Sequence, residues 1–93
     1  MVIGRAELEL LLPASYSLKD KRQILRSLLE RLRHRFNLAA AEVDAHEQWN
    51  RAVIGIACVS NDPGHARQIL DEALRFVEGD GRCEINSRII EVE

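Results

Sequence analysis

Cysteine is nearly missing from this chain. Cys58 and Cys83 are the only two in 93 residues, with neither a CxxC pair nor a histidine-rich partner beside them. A disulfide scaffold is thereby excluded, and both read as small buried apolar side chains. Glycine-rich phosphate loops are missing too: the one close pair, Gly79 and Gly81, follows an apolar helical pattern instead of preceding one. The opening run MVIGRAELELLLP has no basic segment and carries Glu7 and Glu9 inside its apolar stretch. It reads as neither a signal peptide nor a membrane span, and a cytoplasmic location is the expectation. Repeats, low-complexity tracts and linkers are also lacking, which leaves a single domain over residues 1–93.

What the chain does have is a strongly uneven charge. The formal net charge is −2, yet residues 17–35 hold Lys19, Lys21, Arg22, Arg26, Arg31, Arg33 and Arg35 against Asp20 and Glu30. That segment sums to +5 and leaves −7 for the remainder. Such asymmetry within one domain points to a basic surface that meets an anion.

Hydrophobic periodicity supplies the elements. Ala6, Leu8, Leu10 and Leu12 alternate with Arg5, Glu7 and Glu9, the pattern of a half-buried strand closed by Pro13. Ser17 offers a helix N-cap with Asp20 three residues on. Leu18, Leu25, Leu28, Leu29, Leu32 and Phe36 then recur at helical spacing, with Asn37 as the expected left-handed terminator. A second strand is expected over residues 39–47, with Val43 inward and Glu42, Asp44 and His46 outward. AVIGIACVS, apolar on both faces, reads as a central strand. The turn SNDPGH opens a second helix, with Asn61 or Asp62 as cap and Pro63 in the first helical position, and CEINSRIIEV supplies the last strand. The order βαββαβ implies an α+β, ferredoxin-like sandwich: an antiparallel four-stranded sheet, order 4-1-3-2, with both helices on one face.

Within this frame the first helix carries the most specific signal. Lys19, Arg22, Arg26 and Arg33 fall within about 60° on a helical wheel, along one border of the apolar face. Lys21 lies nearer the buried side, and its ammonium is expected to snorkel outward. Trp49, the only tryptophan, and Arg51 sit in a hairpin on the rim where this helix starts. Cations, free helix N–H groups and a stacking aromatic together suit a nucleic-acid backbone with unpaired bases. About four phosphate contacts would give a log–log salt slope near −3. The plainer alternative is a solvated helix whose arginines pair with the protein's own acids, or that docks a protein partner or a small anion.

Nothing comparable points to a catalyst. Glu42, Asp44 and His46 alternate on one strand and could meet a divalent cation, but i, i+2 neighbours splay apart and no further ligand is evident. Ser60, Ser87 and both cysteines lack a base with an orienting group. PASYSLKDKR has no glycine for an acylphosphatase loop and no cysteine pair for a metallochaperone. The central strands lack the aromatics of an RNA-recognition motif. No enzyme activity and no cofactor are expected. The open sheet face would gather Ile3, Leu11, Val53, Ala57, Val59 and Ile90 or Val92, so a homodimer or higher homo-oligomer is expected.

SLKDKRQILRSLLERLRHRFNLAAAEVD, followed by WNRAVIGIACVSND and LRFVE, resembles the YlxP-like proteins, a bacterial family whose domain has no assigned function. The resemblance spans nearly the whole chain and implies a ferredoxin-like fold and a bacterial cytoplasmic setting. Members are commonly encoded near translation-initiation and ribosome-maturation factors, which directs the expectation toward RNA or a ribosomal subunit as partner. Lys19, Lys21 and Arg22 are the positions of the shared SLKDKR start that fit an anion-binding role.

Overall fold

A computed structural model describes residues 1–93. Its elements are β1 (Val2–Leu11), α1 (Leu18–Arg35), β2 (Ala39–Asp44), β3 (Arg51–Ser60), α2 (Pro63–Glu78) and β4 (Glu84–Val92). The strands form one antiparallel sheet in the order β2-β3-β1-β4. Both helices cover the same face, so the fold is the expected ferredoxin-like α+β sandwich.

Alternation in β1 decides the layers. Gly4, Ala6, Leu8 and Leu10 turn toward the helices and are buried, while Arg5 and Glu7 stay exposed on the other face. Ala52, Ile54, Ile56 and Cys58 of β3 continue the buried layer. Leu28 and Leu32 of α1, with Ala66, Leu70, Ala73 and Val77 of α2, close it from above. At Gly4 the approach of α2 is so close that a Cβ would stand 3.0 Å from Cys58 Sγ and 3.1 Å from Leu70 Cδ1.

Capping sets the helix ends. Ser17 Oγ accepts from Asp20 N at 3.0 Å, and the Asp20 carboxylate accepts from Tyr16 N at 3.0 Å, a capping box displaced by one residue. The Asp62 carboxylate caps α2 through His65 N at 3.0 Å, with Pro63 in the first turn. Asn37 is not the left-handed residue expected of it. Ala45 (φ 61°) is the only non-glycine residue with positive φ, and α1 ends instead through an extended Phe36 that runs directly toward β2.

Two strand faces differ from expectation. In β2 it is Ala40 and Glu42 that turn toward the helices, whereas Val43 is 49% exposed on the open face. A register shift between Glu42 and Asp44 ends the regular pairing with β3, and the strand stops at Asp44. In β4, Ile90 and Val92 pack against the core, and Ile89 is the apolar residue left outside. Apolarity alone misassigned both strands, because each has apolar residues on its two faces.

Gly4→Ala tests the close α2–β1 packing. It is expected to cost about 1–3 kcal/mol by overpacking, read as a lower midpoint in urea unfolding with an unchanged slope.

Candidate functional site

The start of α1 is built around a buried cation. Lys21 is 1% exposed. Its Nζ donates to the carbonyl oxygens of Gln48 (2.6 Å), Ala45 (2.7 Å), Arg51 (3.0 Å) and His46 (3.3 Å). Glu42 Oε2 lies 2.8 Å away and has no hydrogen bond of its own, so charge alone compensates it. Lys21 therefore does not snorkel and is withdrawn from any anion-binding role. A lysine fits here because the site surrounds a compact ammonium with acceptors on several sides; a planar guanidinium could not serve them. Eleven of the thirteen basic residues are arginine, and one of the two lysines stands at this position. That retained lysine, on the apolar side of the helix, was the available signal of a buried role.

The ammonium also explains the inverted phase of β2. A buried cation needs a carboxylate within contact distance, and Glu42 supplies it by turning inward. Glu42, Asp44 and His46 accordingly do not converge. The His46 ring nitrogen is 4.0 Å from Glu42 Oε1, while Asp44 Oδ1 is engaged by Ala45 N at 2.7 Å.

Arg51 lies on the other side of the sheet. It pairs with Glu9 through Nε at 2.7 Å, and Asn86 donates to the same carboxylate. Those hydrogen bonds, Asn86 first and then Arg51, hold Glu9 below the ordinary carboxylate range. Arg51 therefore contributes nothing to the helix 1 stripe. Arg33 is partly engaged: Nη1 donates to Ala40 O at 2.6 Å and covers part of the free edge of β2.

Lys19, Arg22 and Arg26 remain. All three are exposed, and none has a carboxylate, carbonyl or aromatic ring as partner within its own chain. They line the β2 side of α1. Beside them Tyr16, 77% exposed, stacks on Trp49, 44% exposed, with ring centroids 6.4 Å apart and planes inclined by 26°. Ser15 Oγ bonds the Trp49 carbonyl and fixes the pair to the rim. Tyr16 escaped the sequence reading because it precedes the helix and belongs to no periodic pattern. The helix N-terminus itself is not open to an outside anion, since Ser17 and Asp20 already cap it.

The opposite border of α1 is tied down. Asp80, its side chain 5% exposed, accepts from Arg82 Nε at 2.9 Å and Nη2 at 2.7 Å, and Arg31 approaches to 3.6 Å. The hydrogen bonds from Arg82 hold Asp80 below its ordinary value. Arg31 and Arg35 lie over the Phe76 ring at 5.2 and 5.6 Å. Burial pushes the Cys83 thiol up to about 11, so it carries no thiolate at neutral pH. Ser60 Oγ lies 3.2 Å from His65 Nδ1, a pairing the sequence did not reveal, and also accepts from Asp62 N at 3.1 Å. This is an α2 capping turn without a carboxylate on the imidazole. No helix is long and apolar enough to cross a membrane.

Fold and site define a class: a ferredoxin-like sandwich with one bare sheet face and a basic helix border stabilised by an internal lysine. Residues 3–89 match the family described as "Protein of unknown function (DUF503)", and the chain belongs to that family. It is similar to the uncharacterized protein YlxP of Bacillus subtilis (strain 168), 34% identical over 77 residues that cover 83% of this chain and 84% of that protein.

Two predictions follow from the charges of this region. Lys21→Met leaves the enclosed Oε2 of the half-buried Glu42 without a counter-charge and strips the loop carbonyls of their donor, so it is expected to cost about 3 kcal/mol in urea unfolding at pH 7. Glu42→Gln in the same chain recovers part of that loss by removing the stranded charge. Asp80 has a depressed folded-state pKa, so its contribution is full above about pH 4 and disappears as pH falls through the folded value. Thermal melts from pH 7 downward should show Asp80→Asn less stable at neutral pH, with the gap to the native chain closing in strong acid.

Proposed function

We propose that this protein is a non-enzymatic RNA-binding protein of the bacterial cytoplasm that engages RNA or a ribosomal subunit along the β2 side of α1. One observation carries the reading. Of all thirteen cations, only Lys19, Arg22, Arg26 and Arg75 have neither an ion pair, a hydrogen bond nor an aromatic ring inside the chain. Three of these stand in line on one helix border. Free, exposed cations at successive turns neutralise successive phosphates at little desolvation cost, whereas paired ones must first break an internal contact.

The mechanism is electrostatic with a stacking component. Lys19, Arg22 and Arg26 hold the sugar-phosphate backbone, and Arg33 joins if it releases Ala40. The outer face of Tyr16, supported by Trp49, receives an unpaired base. Sequence discrimination is weak in such an interface, because every base presents a π-face. The bare sheet face favours a second reading, a homo-oligomeric interaction module that binds no nucleic acid; charge reversal on α1 separates the two.

The test is fluorescence anisotropy with a labelled single-stranded RNA, alongside sedimentation with ribosomal subunits at low and high salt. The native chain is expected to bind with a log–log salt slope of about −2 to −3, for three phosphate contacts. Arg22→Glu with Arg26→Glu abolishes binding while the fold persists. Since Trp49 is the only tryptophan, a change in its emission reports on the Tyr16–Trp49 stack that receives the base, and Tyr16→Ala removes that change. Absence of binding at low salt to both probes overturns the reading.

A further inference from the structure

The face of the sheet turned away from the helices is uneven in height. Its β2–β3 half carries Ala39, Ala41, Gly55 and Ala57, and forms the floor of a trough of about 610 Å³. A Cβ at Gly55 would stand 3.0 Å from Val43 Cγ1, so Val43 leans over the floor at that point and a larger residue there would have to displace it. In the two rows that contain these residues the β1–β4 half carries Arg5 with Glu91 and Glu7 with Ile89, all of them longer, while one row on Ile3 stands beside the exposed Val59 of β3. Ile89 is 60% and Ile3 40% exposed.

We propose that this face is an interface with a second copy of the chain, related by a two-fold axis that lies in the interface, parallel to the strands, between β1 and β3. This operation sets the partner's β4 over β2 and the partner's β1 over β3. The tall half of each copy then fills the low half of the other, twice by symmetry, with Ile89 directed at the small side chains of β2. Such self-complementarity is what an isologous contact requires. No other occupant needs both halves at once.

Area agrees with this partner, and charge keeps the contact weak. Arg5 already pairs with Glu91 at 3.5 Å, but Glu7 has no cation in its own chain. A rotation about an axis parallel to the strands keeps each residue in its own row, so the two copies of Glu7 stand nearest each other across the axis, with the partner's Arg5 one row further on, and this contact limits the affinity. Four strands about 4.8 Å apart and about eight residues long, at about 3.3 Å each, present about 500 Å² per copy. The pair then buries about 1,000 Å², the lower bound of specific interfaces, so a reversible dimer is expected.

Light scattering across a concentration series, up to roughly 100 µM, tests the assignment. The native chain is expected to approach twice its 10.6 kDa at the top of the series and to fall toward 10.6 kDa on dilution. Ile89→Glu and Ala57→Arg, both at exposed positions, hold the mass at one chain while circular dichroism remains native. Glu7→Gln removes the like-charge contact across the axis with little change of packing, and shifts the series toward dimer. The inference is independent of the helix 1 reading, since Arg22→Glu with Arg26→Glu leaves the dimer intact. A native chain that scatters as 10.6 kDa at the highest concentration overturns it, as does a dimer that survives both Ile89→Glu and Ala57→Arg.

Discussion

One buried ammonium organises the rim of this molecule at which α1 begins. Lys21 leaves the first turn of α1, passes under the β2–β3 connection and gathers the carbonyls of residues 45, 46, 48 and 51 around itself. A loop that turns its carbonyls inward would ordinarily bind water or a metal ion. Here the cation is tethered to the helix, so the loop, the helix start and the strand bearing Glu42 form one unit. Much else depends on it: the inward phase of β2, the left-handed Ala45, and the placement of Trp49 against Tyr16. A cation at a helix start opposes the dipole, and the loop carbonyls together with Glu42 offset that penalty. SLKDKR is in this respect first a folding element.

Removing Lys21 from the basic stripe sharpens the charge argument. Seven cations crowd residues 17–35, but they do different things. One is internal, one caps the β2 edge, two lie over aromatic rings and three face solvent without partners. Net charge by segment cannot make that division, because burial and pairing depend on what packs opposite. The division also separates two surfaces. The free cations lie on the helix layer, and the apolar trough lies on the opposite side of the sheet. Nucleic acid and a second copy could therefore be held together without competition.

Membership in a family of unassigned function fixes the fold more firmly than the chemistry. A ferredoxin-like sandwich hosts enzymes, metallochaperones and RNA binders alike, so function has to be argued from its surfaces. The titratable groups whose equilibria are displaced here are tied to structural partners: Asp80 to Arg82, Glu9 to Asn86 and Arg51, Cys83 to its burial.

The sequence by itself determined the element order, both helix starts, the strand order and the buried face of β1 and of each helix. All of these follow from local periodicity and capping, which act within a few residues. It also placed Lys19, Arg22 and Arg26 on one border, since helical spacing alone does that. Only the tertiary structure decided the fates of Lys21, Arg51, Val43 and Ile89. Lys21 and Glu42 are 21 positions apart, and neither has a reason to turn inward until the other is beside it. In β2 and β4, where apolar residues occur on both faces, the inward phase is set by what the opposing layer can satisfy. That is a property of long-range packing, which no window along the chain contains.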